Sequence, residues 1–259
     1  FNTEQIGAFS TAQLQSITTA QIRAIGTASI ASMSSNTIIA LTTAQLNALN
    51  TAQVSALNSE QIVALNSAQI AGLDSRTIAA LDTSQLVALD TSQISRLSSS
   101  ALLGITSTAI TALTSDQVQA LSSAQVVNFS ISQISALDTS QLAAMETSDF
   151  AVLTTNQVRA LTTSAVQSLD STHIVALTTL QVQALSSQQI VALTTDQVVA
   201  IETRDIAALS SQQVQALTTT QKSALTTSQI VAFSDVRGVP NINDINYFST
   251  AQIVALTSK

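Results

Sequence analysis

Few side chains in this sequence have the type and spacing that chemistry requires. The chain of 259 residues contains eight Lys and Arg, fifteen Asp and Glu, one His and no Cys. A single His supplies no ligand set for a metal ion, and the lack of Cys excludes disulfides, thiol catalysis and thiolate metal sites. His173 stands where the surrounding pattern has Gln, so we expect its ring to replace that amide in local hydrogen bonds.

Three carboxylates at regular spacing form the one arrangement that suggests a cation. Asp74, Asp82 and Asp90 lie one octad apart, and an acidic row would attract Ca²⁺ if successive repeats stacked. Each Asp also precedes a predicted helix, where Asp is a favoured N-cap. We favour three separate caps and predict no metal site and no cofactor. No nucleophile–base grouping or phosphate-binding glycine loop is present, so we predict that the chain is not an enzyme.

The elements that carry these residues come from an eight-residue repeat. Residues 1–232 form 29 octads without insertion or deletion, each roughly apolar, Thr/Ser/Asn/Asp, Thr/Ser, any, Gln, Ile/Val/Leu, any, Ala. The third position is Ser or Thr except at Ile131, and the sixth is apolar except at Lys222. A fixed short period means that each unit must bury its apolar face against neighbouring units.

Each octad contains the signals that start a helix. In the octad from Leu41, Thr42 and Gln45 form the S/T-x-x-Q capping box, and Leu41 and Leu46 are placed as the hydrophobic staple. The next start signal follows at Asn50, so each helix is shorter than two turns. Helices this short are unstable alone. The sequence therefore predicts an all-α solenoid of very short capped helices, with the first, sixth and eighth positions buried and the fourth and seventh exposed.

Two other folds fit the repeat less well. A continuous helix would place a Thr/Ser pair in every second turn, against helix propensity, and its apolar stripe would drift around the cylinder. A β-solenoid is the main alternative, because Thr, Ile and Val favour strands. Strand alternation, however, would place the first position on one face and the sixth and eighth on the other. The near-constant Ser/Thr at the third position has no single explanation: it is either the true cap or part of a hydroxyl ladder.

Composition excludes several classes of partner. The net charge is −7, and the sequence has no basic stripe for nucleic acid. A polar pair interrupts every octad, so no apolar run reaches the roughly 20 residues of a membrane span. Charged residues make up 9% of the chain, far below the approximately 25% of typical soluble domains. Thr, Ser, Gln and Asn must therefore hydrate the surface.

The repeat is broken near the C-terminal end of the sequence. The segment 233–247 contains the only Pro and the only Tyr, and the octad pattern resumes over 248–259. Gly238 and Pro240 predict an irregular loop, and loops concentrate binding groups. Candidate interaction residues are Arg237, Gly238, Pro240 and Tyr247 in this segment, together with Lys222.

Two resemblances follow from these motifs. The octad that starts at Leu193, Leu-Thr-Thr-Asp-Gln-Val-Val-Ala-Ile, resembles the start of the first helix in TAL-effector repeats. The chain lacks the base-reading loop and positive charge of that family, so DNA recognition is rejected. Over nearly its whole length the chain is similar to Thr/Gln/Ala/Leu octapeptide arrays of very large secreted or surface adhesin-like proteins of Gram-negative bacteria. That resemblance implies an extracellular or cell-surface location and a stalk, layer or fibre.

We therefore predict a non-enzymatic structural repeat protein that forms an extracellular stalk, surface layer or filament. The sequence starts and ends in phase without an obvious capping repeat, and uncapped stacks tend to associate. The expected partner is a further copy of the chain. The alternative is an adhesin-type binding module that recognises a glycan or protein through the 233–247 break or an exposed face of the repeat.

Overall fold

The computed structural model describes residues 3–237 and 248–257, and within them every regular element is an α-helix. The chain divides into two compact units, Phe1–Leu137 and Asp138–Lys259. Unit 1 contains α1 Thr3–Gly7, α2 Thr11–Ser16, α3 Thr19–Arg23, α4 Thr27–Ala31, α5 Ser35–Ala40, α6 Thr43–Leu46, α7 Thr51–Ser55, α8 Ser59–Val63, α9 Ser67–Ala71, α10 Ser75–Ala79, α11 Thr83–Ala88, α12 Thr91–Arg96, α13 Ser99–Leu102, α14 Ser107–Ile110, α15 Ser115–Gln119, α16 Ser123–Val126 and α17 Ile131–Ala136.

Unit 2 continues the octad phase without a break at its start. It contains α18 Thr139–Ala144, α19 Thr147–Val152, α20 Thr155–Ala160, α21 Thr163–Ser168, α22 Ser171–Ala176, α23 Thr179–Ala184, α24 Ser187–Ala192, α25 Thr195–Ala200, α26 Thr203–Ala207, α27 Ser211–Ala216, α28 Thr219–Ala224, α29 Thr227–Arg237 and α30 Thr250–Thr257. The predicted all-α solenoid is confirmed. The β-solenoid alternative is wrong, because no strand occurs in 3–237 or 248–257.

The first position of the octad is where one helix ends, and the second position is the N-cap of the next helix. Thr42 is the N-cap of α6 with extended backbone, φ −74° and ψ 157°, and its side chain accepts from the Gln45 backbone N–H. Leu41, one position earlier, is the extended C-cap of α5. An extended pair such as Leu41 and Thr42 thus separates one short helix from the next. The near-constant Ser/Thr at the third position is the first helical residue, not the cap.

The core of each unit is formed by the sixth and first positions. Ile62 and Leu65 in unit 1 are 1% and 6% exposed, and Ile190 and Leu193 in unit 2 are similarly buried. Fourth-position Glu60 and seventh-position Arg159 are exposed, as the pattern predicted. Burial of the aliphatic columns supplies the stability that so short a helix lacks in isolation.

Helices stack on those three octads away in sequence. In unit 1, α8 contacts α5 and α11, and in unit 2, α22 contacts α19 and α25. Hydrogen bonds between successive turns join residues 25, 28 or 31 positions apart, as in Asn47 to Gly72 and Gln53 to Ile25 and Ile22. One turn of the solenoid in each unit therefore takes slightly more than three octads.

The helix α29 extends into the segment for which the sequence predicts an irregular loop. It runs to Arg237, so the beginning of 233–247 is helical. Arg237 stands where other octads have the capping-box glutamine, and Gly238 stands where they have the aliphatic residue of the hydrophobic staple. Both of these signals for a new helix start are therefore missing. Residues 238–247 lie outside the described residues.

Candidate functional site

A buried glutamine connects successive turns in both units. In α8, the Gln61 Oε1 accepts from the Asn58 backbone N–H at 2.8 Å, which completes the capping box. Its Nε2 donates to the carbonyls of Ile30 at 2.9 Å and Met33 at 2.7 Å, at the end of α4 one turn earlier. Gln61 is 2% exposed. One side chain thus provides hydrogen-bond partners for a backbone N–H at the start of one helix and for carbonyls at the end of another.

We call this column the glutamine ladder. Each member donates to carbonyls 28 and 31 positions earlier; in unit 1 the members are Gln45, Gln53, Gln61, Gln69, Gln85, Gln93, Gln117, Gln125 and Gln133, and in unit 2 Gln181, Gln189, Gln197, Gln213, Gln221 and Gln229. Helix ends leave backbone carbonyls without partners inside the helix, and leaving such groups buried and unpaired is costly. The ladder removes that cost at the carbonyls to which these glutamines donate.

The capping box predicted from the sequence accounts for only the oxygen of each glutamine. The amide nitrogen, which reaches a helix of the preceding turn, was missed. A signal for it exists in the sequence: no octad from 1 to 232 has Glu at the fifth position. Glu completes a capping box as well as Gln does, but an ionised Glu cannot donate to the two carbonyls.

Where the fifth position is not Gln, the connection between turns changes. In α10, Thr77 is too short to reach the carbonyls that a glutamine would take, and its hydroxyl lies 3.1 Å from the Oδ1 of Asn47. Asn47 itself accepts the Asp74 N–H that a ladder glutamine normally accepts. The core beside Thr77 retains a cavity of about 10 Å³ lined by Leu46, Leu49 and other aliphatic residues, so packing there is less complete.

Asp205 replaces the ladder glutamine at the start of α26. Its carboxylate is 2% exposed, accepts from the Thr179 hydroxyl, and pairs with Arg204 Nε at 3.0 Å. Hydrogen bonding to Asp205 raises the pKa of Arg204. The N-cap Glu202 makes no side-chain cap bond and contacts Arg204 instead. This cluster replaces a neutral connection between turns with a paired charge.

His173 replaces the glutamine of α22, as expected from its position. Its Nε2 lies 3.0 Å from the Met145 carbonyl, 28 positions earlier, where a ladder amide would donate. Its Nδ1 lies 2.8 Å from the Asp170 carboxylate, so it does not form the standard box. Hydrogen bonds from the Thr172 hydroxyl and the His173 backbone N–H lower the pKa of Asp170 to about 2. The ring also packs edge-on against Phe150, at 4.7 Å between centroids.

The acidic octad caps do not form a row. Asp74, Asp82 and Asp90 cap α10, α11 and α12, which are successive helices, whereas stacked helices are three octads apart. Each carboxylate accepts from the backbone N–H of the third residue after it. The interpretation as separate caps is confirmed, and no group of three potential metal ligands occurs in the described part of the chain.

The candidate interaction residues have different outcomes. Lys222 lies in α28, half-buried, at the position where other octads have a core aliphatic residue. Its backbone carbonyl accepts from Gln252 at 3.4 Å. Arg237 is the last residue of α29. Gly238, Pro240 and Tyr247 lie outside the described residues, so the prediction of a binding loop there stays a prediction.

The segment 233–247 stands in the sequence where two octads would otherwise fit. Gln252, in the resumed repeat, donates to the Leu225 carbonyl at 2.6 Å, 27 positions earlier. Ladder glutamines reach the equivalent carbonyl 28 positions earlier, as Gln229 reaches Ile201. The segment 233–247 is therefore shorter by a single position than the pair of octads whose place it takes. The helix α29 contacts both α26 and α30.

These observations define the class of protein. Each unit is an α-solenoid whose recurrent polar chemistry holds its own turns together, which is the property of a structural repeat protein. No helix of 3–237 or 248–257 has the length and apolar character needed to cross a bilayer. The model of the ALTTAQ repeat family matches residues 1–35, 38–75, 62–99, 142–179, 175–200 and 198–235. The chain therefore belongs to the ALTTAQ repeat family. No curated protein matches it.

Proposed function

We propose that this chain is a non-enzymatic structural component that acts outside the cell and associates with copies of itself. The glutamine ladder is the observation that carries the structural role. Its amides recur along the sequence and are buried and bonded to backbone carbonyls, as for Gln189 with Val158 and Leu161. Their hydrogen bonds hold successive turns together, as a mechanical spacer requires.

Self-association is supported by the apolar surface. Several large aliphatic side chains point to solvent, including Leu103 at 52%, Ile131 at 54% and Leu180 at 67% exposure. Burial of such surface favours association. The extracellular location rests on the resemblance to octapeptide arrays of surface proteins, and the absence of Cys is compatible with it.

Self-association is tested by sedimentation velocity over a wide range of protein concentration. We expect the weight-average sedimentation coefficient to rise with concentration and to fall again on dilution. A strictly monomeric protein at the highest concentration would contradict the proposal. Location is tested separately, by antibody labelling of intact and permeabilised cells of the source organism; labelling that requires permeabilisation would exclude a surface role.

A deletion variant distinguishes a structural role from the role of an adhesin. Deletion of 233–247 leaves the ladder glutamines of both units in place. If the chain is a structural array, self-association and the helical circular dichroism spectrum persist in the deletion variant. Loss of glycan or protein binding with an unchanged spectrum would instead favour the binding module.

A further inference from the structure

His173 has a hydrogen-bond acceptor at each of its ring nitrogens. The Nε2 lies 3.0 Å from the carbonyl oxygen of Met145, and the Nδ1 lies 2.8 Å from a carboxylate oxygen of Asp170. A carbonyl oxygen can only accept. The carboxylate can only accept as well, because hydrogen bonds from the Thr172 hydroxyl and the His173 backbone N–H lower the pKa of Asp170 to about 2 and keep it ionised at neutral pH.

Both ring nitrogens of His173 must therefore donate in this arrangement. A neutral imidazole has one N–H and one lone pair, whereas the imidazolium has two N–H groups. With a neutral ring, one of the two acceptors would face a lone pair at hydrogen-bond distance. The residue is 4% exposed, so little water reaches the ring to replace the lost donor, and a buried polar group without a partner is costly. The two contacts exist together only when the ring carries both protons.

The helices around the ring carry acidic groups and no Lys or Arg. His173 lies in α22, which contacts α19 and α25, and the carbonyl that it meets belongs to the end of α18. The ionisable groups of these neighbours are Asp138, which caps α18, Glu146, which caps α19, Asp149 in α19 and Asp196 in α25. The helices next to α22 in sequence, α21 and α23, have no ionisable side chain. Ionised carboxylates attract an imidazolium, and no cation on these helices repels it.

Loss of one proton breaks the contact between turns. The hydrogen bond from Nδ1 to the carboxylate is charge-assisted and stronger than a bond to a neutral carbonyl, so the remaining proton stays on Nδ1. The Nε2 then presents its lone pair to the Met145 carbonyl. That carbonyl lies 28 positions earlier in the sequence, and it is one of the two to which a ladder glutamine at this position would donate.

We propose that His173 joins α22 to the preceding turn only while its ring is doubly protonated, which makes this junction of unit 2 sensitive to pH. Histidine is the side chain that ordinarily changes charge between about pH 5 and 8, and the chain contains one. A ladder glutamine keeps both N–H donors of its amide throughout that range. The inference requires neither self-association nor an extracellular location.

The protonation of the ring is tested by nitrogen NMR of the untagged chain with isotope-labelled histidine, which gives signals from this ring alone. In mild acid, both ring nitrogens should have the chemical shift of a protonated nitrogen. As the pH rises, the Nε2 signal should move to the shift of a nitrogen without a proton, while the Nδ1 signal keeps its position. Loss of the proton from Nδ1 instead would overturn the proposal, because the contact with Met145 would then survive.

The effect on stability is tested with His173→Gln, which gives α22 the capping pair that Asp82 and Gln85 form in α11. There the Gln85 amide donates to two carbonyls of the preceding turn. The His173 bond between turns has no counterpart in the unfolded chain, so its contribution is complete in mild acid and is lost as the ring gives up a proton at higher pH. From about pH 5 to 8, the melting temperature of wild type should fall by roughly 2–4 °C relative to the variant, as expected for one hydrogen bond at this size.

The comparison with His173→Gln removes effects that the two proteins share. The terminal amine also titrates in this range, but it is present in both proteins and cancels in the difference. Parallel profiles of melting temperature against pH would overturn the proposal, as would a wild type that gains stability relative to the variant on going from acid to alkali. If the variant does not fold, the NMR titration of the wild-type ring decides.

Discussion

At the scale of single residues, the fifth octad position determines which hydrogen bonds join two turns. Gln213 illustrates this: its oxygen accepts from the Ser210 N–H at 2.8 Å, and its amide donates to the carbonyls of Val182 and Leu185 at 2.9 and 2.8 Å. Smaller or charged replacements such as Thr77 and Asp205 need additional partners from neighbouring helices. The ladder position is therefore the one where a substitution affects two helices at once.

We predict that Gln213→Leu destabilises unit 2. The change leaves buried backbone groups without partners, which costs about 1–3 kcal/mol for each such group. The matched control is Gln215→Leu on the same helix α27, because Gln215 is exposed and its replacement should change stability by less than about 0.5 kcal/mol. Urea unfolding followed by circular dichroism measures both, and equal midpoints would contradict the role of the ladder.

We predict that acid lowers the stability contributed by the Asp170 carboxylate. Its folded pKa is about 2, lowered first by the Thr172 hydroxyl and then by the His173 N–H from an ordinary value of 3.8. A lowered folded pKa means that the stabilisation is complete above the unfolded pKa and disappears as pH falls from about 4 to about 2. Wild type should exceed Asp170→Asn in unfolding midpoint near neutral pH, with the difference shrinking across that window. A pH-independent difference would show that charge is not its source.

At the scale of elements, the closeness of stacked helices depends on the eighth position. Gly104, which follows α13, lies against α10 so closely that an added Cβ would be 2.0 Å from the Ser75 carbonyl oxygen. At Gly7, in α1, an added Cβ would meet nothing within 4 Å. Most octads have Ala at this position, so α13 and α10 approach more closely than an Ala there permits.

Replacement of Gly104 by Ala should therefore force α13 away from α10. Overpacking of this kind costs about 1–3 kcal/mol, and here the obstructing atom belongs to the backbone and cannot rotate away. Gly7→Ala is the control and should be neutral or stabilising by up to about 1 kcal/mol, because Ala favours helix. Thermal unfolding of the two variants measures the difference, and a Gly104→Ala protein as stable as wild type would contradict the close approach.

At the scale of the whole molecule, the octad phase matters more than the number of octads. Each ladder glutamine bonds to the same two octad positions of an earlier turn, so one octad that contains this glutamine can replace another. Within unit 2, Gln181, Gln189 and Gln197 make the same pair of bonds with different helices. We therefore expect the chain to tolerate a change of length in whole octads.

Deletion of the octad Leu185–Ala192 should leave helical ellipticity per residue and cooperative unfolding nearly unchanged. Deletion of Ser186–Ala192 is the matched control, because it leaves Leu185 beside Leu193 and shifts the ladder by one position. That variant should lose several degrees of melting temperature, since 1 kcal/mol corresponds to about 2–4 °C at this size. Similar melting temperatures for both deletions would show that phase is unimportant.

The sequence by itself determined the local structure. Thr42 with Gln45, and Leu41 with Leu46, specify a helix start because capping and stapling act over a few residues, and the 29-fold repetition predicted short helices, exposed fourth and seventh positions and a solenoid. Only the tertiary structure decided how many octads form a turn, and hence that the Gln61 amide bonds to Ile30 and Met33 and that Asp74, Asp82 and Asp90 do not align. The physical reason is that an octad repeat in the sequence is compatible with many different angles between consecutive helices and so does not specify the angle. That angle is set by the packing of side chains from helices three octads apart.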